Sequence, residues 1–555
     1  MTFDPYNIPL TPSQWFSTIA EYDGQGTAEL EDPKGAIFGK AKVRHDEFGE
    51  SGVEFRVEGA ESERELKFGI MELLSGRNPV KENGRWTLPI GFIDNPCSKI
   101  IIETSIGKYV ADGVISCMNC RFSSNPEEGT RLVFRPLHSK FEVKNAAQPK
   151  YWVIPLSNFR STFSQRHLNL DRHPLRIYPT PDIPDGLQES ELFAATLNAN
   201  RKNNLIIFEF NGSLGFIEPL PDYEERVKRL VGRIDRQRTT AVMIGEVGDK
   251  PTQNFDDLLS WFPVDFIPLL ELATGSYIGI PWIEIRDCAG NLVRRYHPST
   301  SLPSYSKGHV AIDETIHMGT GLLLTKGQTS SHFGTSYVNT VISRMIKAGS
   351  HSGVTIEDKM VNLFQALDTL CEKFKLKSVT PEDALSQPSK EGVNKILKDT
   401  CNEIFKLSSH QESEGNTQDT DVLKKIAGQV KQACNLQVPF GKAVLRLLEK
   451  FGLPDGDIVT AHYKTHPRPD RREWHEVLSY YRAIPIHAGA FDLSSKKHDF
   501  NDLMRINLHL HDVLLRIIMK MLDYDGAYQP TVLKWQTGEK ISWVNLSTPA
   551  SKLGY

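Results

Sequence analysis

Arg482 and His487 stand in the segment Tyr480-Tyr-Arg-Ala-Ile-Pro-Ile-His-Ala-Gly489 as an R-x4-H pair. An arginine is a permanent, fork-shaped cation matched to phosphate oxygens. A histidine exchanges a proton near neutral pH. Together the two suffice to cleave RNA without a metal. The His assists attack of the 2′-hydroxyl on the adjacent phosphorus or protonates the leaving oxygen, and the Arg neutralises charge on the phosphorane. The same spacing also fits a surface Arg followed by a His that caps a helix. Pro485 biases Ile484 away from helical dihedrals, so the helix carrying Trp474, Val477 and Leu478 is expected to end or kink between Arg482 and His487, which lets His487 swing back toward Arg482. Gly489 fits a turn just beyond.

Other chemistries find less support. Cys117-Met-Asn-Cys120 is the one CxxC in the chain. A structural zinc site needs four ligands, usually two such pairs, and only Cys97 or a distant His is left to complete the set. The expected reading is two half-buried thiols in a β-domain and no metal. Gly245-Glu-Val-Gly-Asp-Lys250 lacks the spacing of a phosphate-cradling loop, and no GxSxG, HExxH or EF-hand pattern occurs. No cofactor is expected. His509 and His511 lie two apart on a long helix, so they point to different faces and cannot share one metal; they read as surface or interface histidines.

The elements that must position Arg482 and His487 follow from composition and periodicity. The chain has 555 residues with 65 basic and 69 acidic side chains, a formal charge of −4. That excludes a globally basic nucleic-acid coat but not a local basic surface. No run of apolar residues is long enough to span a membrane, and the N-terminus lacks the pattern of a signal peptide. Seven cysteines in so long a chain point away from a disulfide scaffold, so a cytoplasmic protein is expected. Residues 1–345 hold 23 of the 32 prolines and a balance of −6, whereas residues 346–555 have a balance of +2.

The first part reads as β-rich. Alternation with period two predicts strands over Ala36–Val43 and Val53–Val57, with further candidates at Lys99–Glu103, Arg131–Arg135, Tyr151–Pro155, Leu205–Phe210 and Trp282–Arg286. Trp282–Arg294 reads as a hairpin bending at Ala289-Gly-Asn291. Helices are expected at Asp222–Arg238 and Phe255–Leu270. The second part changes period. Met360, Leu363, Phe364, Leu367, Leu370, Cys371 and Phe374 form one helical stripe. Val393, Ile396, Leu397, Ile404 and Phe405 suggest another, and the polar run Ser408–Thr420 reads as a surface loop. Helices follow at Val422–Cys434, Val438–Phe451 and Glu473–Arg482, and a long one at Asp502–Tyr524 with Leu503, Ile506, Leu510, Val513, Ile517 and Met521 on one face. The expected fold is multidomain: a β-rich (α+β) N-terminal region over residues 1–345, possible as two subdomains, then an all-α helical bundle over residues 346–555.

These residues carry a resemblance. The second part resembles the HEPN superfamily of helical-bundle ribonucleases, and most closely the ApeA-like group found in bacterial antiphage defence. The motif Arg482-Ala-Ile-Pro-Ile-His487 stands before a last long helix, His511–Gly526, that is similar to the family's closing segment. Phe364-Gln-Ala-Leu-Asp-Thr-Leu370 resembles the family's Ala-Leu-Glu signature, with Asp368 in place of Glu. Residues 1–345 are more loosely similar to the N-terminal domain that accompanies this group. Ala483 stands where many active family members carry a polar residue, and Pro485 is unusual inside the motif.

The resemblance implies a metal-independent endoribonuclease with Arg482 and His487 as catalytic residues, acting as a homodimer in which two motifs face one another. Its products would carry 2′,3′-cyclic phosphate and 5′-hydroxyl ends. It also implies a role in defence against phage, with host or viral RNA (tRNA among the candidates) as substrate and a phage-derived trigger acting on the N-terminal region. Asp368 would orient the motif Arg, or simply flank the core stripe. Lys464, Arg468, Arg471 and Arg472, just before the catalytic helix, would track an RNA backbone, or form a solvated basic loop. The rival reading is a non-catalytic RNA- or protein-binding dimer scaffold.

Overall fold

The structure is a computed structural model. It describes residues 16–545 except 31–34, 49–50, 59–79, 83–84, 89–92, 123–129, 161–205, 211–212, 248–264, 299–301, 307, 313–318, 350–353, 380–385, 434–435, 454–473, 494–499, 532, 535–538 and 541–543. The chain forms two compact units. The first comprises Met1–Gly334 with Ser350–Ser352 and Leu522–Tyr528; the second comprises Thr335–Gly349, Gly353–Met521 and Gln529–Tyr555. The expected division at 345/346 falls inside the helix Ser336–Gly349, which belongs whole to the second unit.

The first unit is built on an antiparallel sheet. Its strands are β1 (Ile19–Leu30), β2 (Gly35–Asp46), β3 (Ser51–Val57), β4 (Val80–Glu82), β5 (Arg85–Leu88), β6 (Ile93–Thr104), β7 (Gly107–Phe122), β8 (Thr130–Pro136), β9 (Ser139–Val143), β10 (Tyr151–Ser157), β11 (Ile206–Phe210), β12 (Ser213–Pro219), β13 (Thr239–Glu246), β14 (Ile283–Arg286) and β15 (Leu292–His297). Six of them close on themselves in the order β7-β6-β1-β2-β3-β8, with β8 pairing back to β7. Closure leaves β8 paired on both sides, to β3 and to β7, rather than as a sheet edge. Along β2 the alternation is the expected one: Ile37, Ala41 and Val43 face the barrel core while Lys40, Lys42 and Arg44 face out. The same core holds Tyr22, Phe55, Ile100, Ile102, Tyr109, Phe134 and Phe141. Glycine is required where strands press together: a Cβ on Gly39 would lie 1.9 Å from the Arg56 carbonyl oxygen.

From β7 the sheet continues through β9, β15, β14, β10, β13 and β12 to β11. β10 and β13 are buried on both faces, which explains their near-continuous apolar sequences. The edge strand β11 is covered by a helix over Gly319–Gly327. Thr325 Oγ1 accepts from the Glu209 N–H at 2.9 Å, and the Gln328 amide donates to the Glu209 carbonyl, so both edge groups of that residue are satisfied.

The β14–β15 hairpin turns as the sequence suggests. Asp287 Oδ1 accepts from the N–H groups of Ala289 (2.9 Å) and Asn291 (2.8 Å), and Gly290 takes φ +83°. The hairpin also buries charge. Glu284, 1% exposed, lies 2.6 Å from guanidinium nitrogens of both Arg286 and Arg295. Arg295 Nη1 donates to the Tyr22 hydroxyl of β1 at 2.9 Å, and its guanidinium stands over the Trp282 ring. Two residues on, the His297 ring stacks on His45 at 3.5 Å between centroids. The expected helix at Asp222–Arg238 is shorter than its charge pattern suggests: it runs Tyr223–Val231, because Gly232 and Arg233 (φ +59°) end it and Asp235 then ties Arg229 and Arg238 into a turn. Of Phe255–Leu270, the described part contributes to a helix over Ile267–Thr274.

The three helices just given, Tyr223–Val231, Ile267–Thr274 and Gly319–Gly327, are α1, α2 and α3; the second unit continues with α4 (Ser336–Gly349), α5 (Ile356–Lys373), α6 (Gln387–Ser413), α7 (Thr417–Ala433), α8 (Phe440–Lys450), α9 (Trp474–His487) and α10 (Phe500–Met521). The β-rich first part and helical second part agree with the sequence reading. Two local expectations are corrected. The polar run Ser408–Thr420 is mostly helix: α6 continues to Ser413, a turn with Gly415 at φ +78° follows, and Asn416 Oδ1 accepts from the Asp419 N–H at the start of α7. Solvent-facing polar residues do not stop the helix here; Gly415 and the cap at the next residue, Asn416, do. Of the stripe expected on α6, Val393, Leu397 and Ile404 are half-buried, whereas Ile396 and Phe405 are exposed.

His509 and His511 are buried, 3% and 9% exposed, not surface residues. Residues on nearly every face of α10 are buried, since the helix is central to the unit and packs on α4 and α5. Burial pushes the His509 imidazole down to about 3, with the Arg516 charge adding to it, and His511 down to about 4. In the first unit burial and then Arg295 push His45 down to about 3. An unfolded His titrates near 6.5, so below that pH the unfolded chain takes up protons that the folded chain refuses. This stability is present in full above about 6.5 and declines as pH falls toward 3–4, by up to about 1.4 kcal/mol per pH unit for each His. Thermal midpoints measured between about pH 7.5 and about pH 5 are expected to fall, and His45→Gln/His509→Gln to flatten the dependence. Equal slopes for the double variant and the parent would contradict this.

Candidate functional site

Three helices of the second unit, α5, α8 and α9, pack on one another and set the site. α5 starts at Thr355, whose Oγ1 accepts from the Asp358 N–H at 3.1 Å, with Glu357 and Asp358 in the first turn. Its stripe of Met360, Leu363, Phe364, Leu367, Leu370 and Cys371 is buried as the spacing predicts. Asp368 sits at i+4 from Phe364 and three residues before Cys371, so its carboxylate lies at the border of that buried stripe. On α9, Val477, Leu478, Tyr481 and Pro485 are buried, and Arg482 is at the border of their face. The two border positions, 114 residues apart in sequence, meet.

Arg482 Nη2 donates to Asp368 Oδ2 at 2.6 Å and Nε donates to the same oxygen at 3.2 Å. The side chains are 28% and 17% exposed, so the pair is half-buried and the guanidinium is held in one orientation. Its carbon stands 4.9 Å from the centroid of Phe440, the first residue of α8, and Phe440 packs edge-to-face on Phe364 at 5.8 Å. The Gly441 N–H donates to Ser479 Oγ at 3.0 Å, which pins the start of α8 to α9. Lys377 Nζ lies 3.0 Å from the other Asp368 oxygen, Oδ1; this is an ion pair by distance rather than an aligned hydrogen bond. Lys377 is anchored in turn, because its carbonyl accepts from the Val438 N–H at 2.8 Å beside the short pairing of Ser378–Val379 with Leu436–Gln437. Cys371 is a bystander: burial, then Asp368, push its thiol up to about 12. Among the described residues Nη1 of Arg482 has no hydrogen-bond partner, so one arm of the fork is available to an anion.

His487 is exposed at the C-terminal end of α9. The expected break between Arg482 and His487 does not occur. α9 runs through Pro485 to His487, the Ala488 N–H donates to the Ile484 carbonyl at 2.8 Å, and Gly489 leaves the helix at φ +78°. Pro485 lies in the last turn, where only one backbone bond is lost. Five residues on a continuous helix turn through about 140°. The two motif side chains therefore leave α9 on different faces, and one copy of the chain does not bring them together. Cys117 and Cys120 lie on β7 with their backbones paired to β8, while Cys97 is buried in the barrel. The basic residues Lys464, Arg468, Arg471 and Arg472 lie outside the described residues.

No family model, curated protein or solved structure matches the chain. The geometry therefore carries the functional argument. Lys377 and Phe440 went unnoticed in the sequence. Nothing in their local pattern marks them, since Lys377 lies in a loop after α5 and Phe440 reads as an ordinary apolar position of α8. Among the described residues no helix is long and apolar enough to cross a membrane.

Proposed function

We propose that the chain is a metal-independent endoribonuclease of the HEPN type, working as a homodimer. The observation that carries this is the Arg482 guanidinium: half-buried, oriented by Asp368 and Phe440, with Nη1 left for a phosphate oxygen. An arginine held this way stabilises a phosphorane without reorganising at the moment of reaction. His487 is exposed and accessible to a proton on the ribose 2′-hydroxyl or on the leaving 5′-oxygen. Since Arg482 and His487 leave one helix about 140° apart, the pair is completed between two copies, the Arg of one facing the His of the other. The bond from the 2′-oxygen to phosphorus forms as the bond to the 5′-oxygen breaks. The proton passes through His487, and the products are a 2′,3′-cyclic phosphate and a 5′-hydroxyl. The RNA cut, tRNA included, belongs to antiphage defence, with the β-rich first unit responding to a phage-derived trigger.

The separation of the two side chains on one helix also favours a second reading, in which the bundle is a non-catalytic RNA- or protein-binding dimer. Incubating the full-length chain and its His487→Ala variant with total RNA in excess EDTA separates the two. New fragments with cyclic phosphate ends, made by the parent alone, are expected. Equal RNA patterns from both proteins would sink the nuclease reading, and EDTA-sensitive cleavage would sink its metal independence.

A further inference from the structure

The outer surface of the barrel carries a row of like charges. By strand register Gln25, Lys40, Arg56 and Arg131 stand opposite one another across β1, β2, β3 and β8. Three successive strands, β2, β3 and β8, thus place a cation at one level. Like charges directly opposite each other destabilise a sheet, so folding gives no reason for the arrangement. Nearby carboxylates answer only part of it. Arg131 is 3.1 Å from Glu54, Lys42 is 3.7 Å from Glu21, and Lys40 is 3.9 Å from Glu58. Arg56 has no ion pair among the described residues. Lys40, Lys42, Arg56 and Arg131 line a shallow depression of about 570 Å³ with two carboxylates, Asp23 and Glu54.

Strands lie about 4.8 Å apart, so the row spans roughly 10 Å, enough to meet two successive phosphates of one strand rather than a single ion. Two of the three cations are arginines, whose forks match phosphate. On the same face of β2, two residues before Lys40, Phe38 is 55% exposed. A basic track beside an exposed aromatic ring is what single-stranded nucleic acid requires, one element for its backbone and one for a base to stack on. We infer that this face of the barrel binds single-stranded nucleic acid through Lys40, Arg56, Arg131 and Phe38. The inference goes beyond the cleavage reaction and does not depend on it.

The test is fluorescence anisotropy of a labelled single-stranded RNA of mixed sequence, titrated with the full-length His487→Ala chain at several salt concentrations. Lys40→Glu/Arg56→Glu/Arg131→Glu is expected to weaken binding at least tenfold and to make the salt dependence shallower by about two to three counterions. Phe38→Ala is expected to weaken it about fivefold or more. Arg56→Glu alone turns the row into alternating charge, so its thermal midpoint is expected to hold or rise while affinity falls, a combination that damage to the fold does not produce. Unchanged affinity and salt slope in the triple variant overturn the proposal. So does tighter binding of polyglutamate than of RNA, or equal loss of affinity for duplex and single strand. Because the readout is binding by a chain lacking His487, failure of the nuclease reading leaves this result intact, and the converse holds.

Discussion

Arg482→Ala is expected to slow RNA cleavage by about 10²–10³-fold, the usual cost of removing one oriented donor from a developing anion. Arg482→Lys is expected to recover little of that. The parent guanidinium spends Nε and Nη2 on Asp368 Oδ2 and keeps Nη1 in hand, a division of labour that a lysine ammonium cannot reproduce. The guanidinium also stands over the Phe440 ring. Asp368→Asn keeps the shape but removes the charge that holds the fork, so it is expected to lower the rate less than Arg482→Ala and to leave substrate affinity nearly unchanged. Single-turnover rates on a defined RNA would measure all three. A rate for Arg482→Ala within a factor of two of the parent would refute the assignment, provided that circular dichroism shows the helices intact.

The second large effect concerns stability. Arg295→Met is expected to cost the first unit about 3–5 kcal/mol, because it strips a buried carboxylate of one of its two counterions. Burial alone would raise the Glu284 carboxyl; Arg295 and then Arg286 outweigh that and hold it below the ordinary range. Without Arg295 that compensation is halved, and the Tyr22 hydroxyl of β1 loses its donor. The first unit's thermal midpoint is expected to fall by roughly 5–10 °C. Glu284→Gln/Arg295→Met is expected to recover a good part of the loss, since a buried pair removed together leaves no uncompensated charge. An additive double variant would show that the two side chains act independently.

Period-two alternation in Ala36–Val43 and the helical stripe from Met360 to Cys371 were legible because each reports a local geometry: a strand alternates faces, and a helix repeats every three to four residues. The types at 482 and 487 likewise named a chemistry before any position in space was known. Sequence also placed Asp368 beside the stripe and left open whether it orients Arg482 or only flanks the core; the folded chain brings the two together. Strands outside the sequence reading include β1 and the sixteen residues of β7; these two carry glycines and polar residues, and their pairing shifts register along their length.

What the chain determined by itself, then, is its division into a β-rich and a helical part, the faces of the regular elements and the residue types of the motif. Tertiary structure decided the rest. Closure of the barrel depends on β7 pairing with β8 as well as β6. The orientation of Arg482 depends on a carboxylate 114 residues away and on a ring from a third helix. His509 and His511 are held neutral by the packing of α10 at the centre of its unit, and Arg482 and His487 are parted by a helix that survives its proline. The physical reason is the same in each case. Periodicity is a property of one segment, whereas burial, pairing and charge compensation are properties of two or more segments that meet only after the chain has folded.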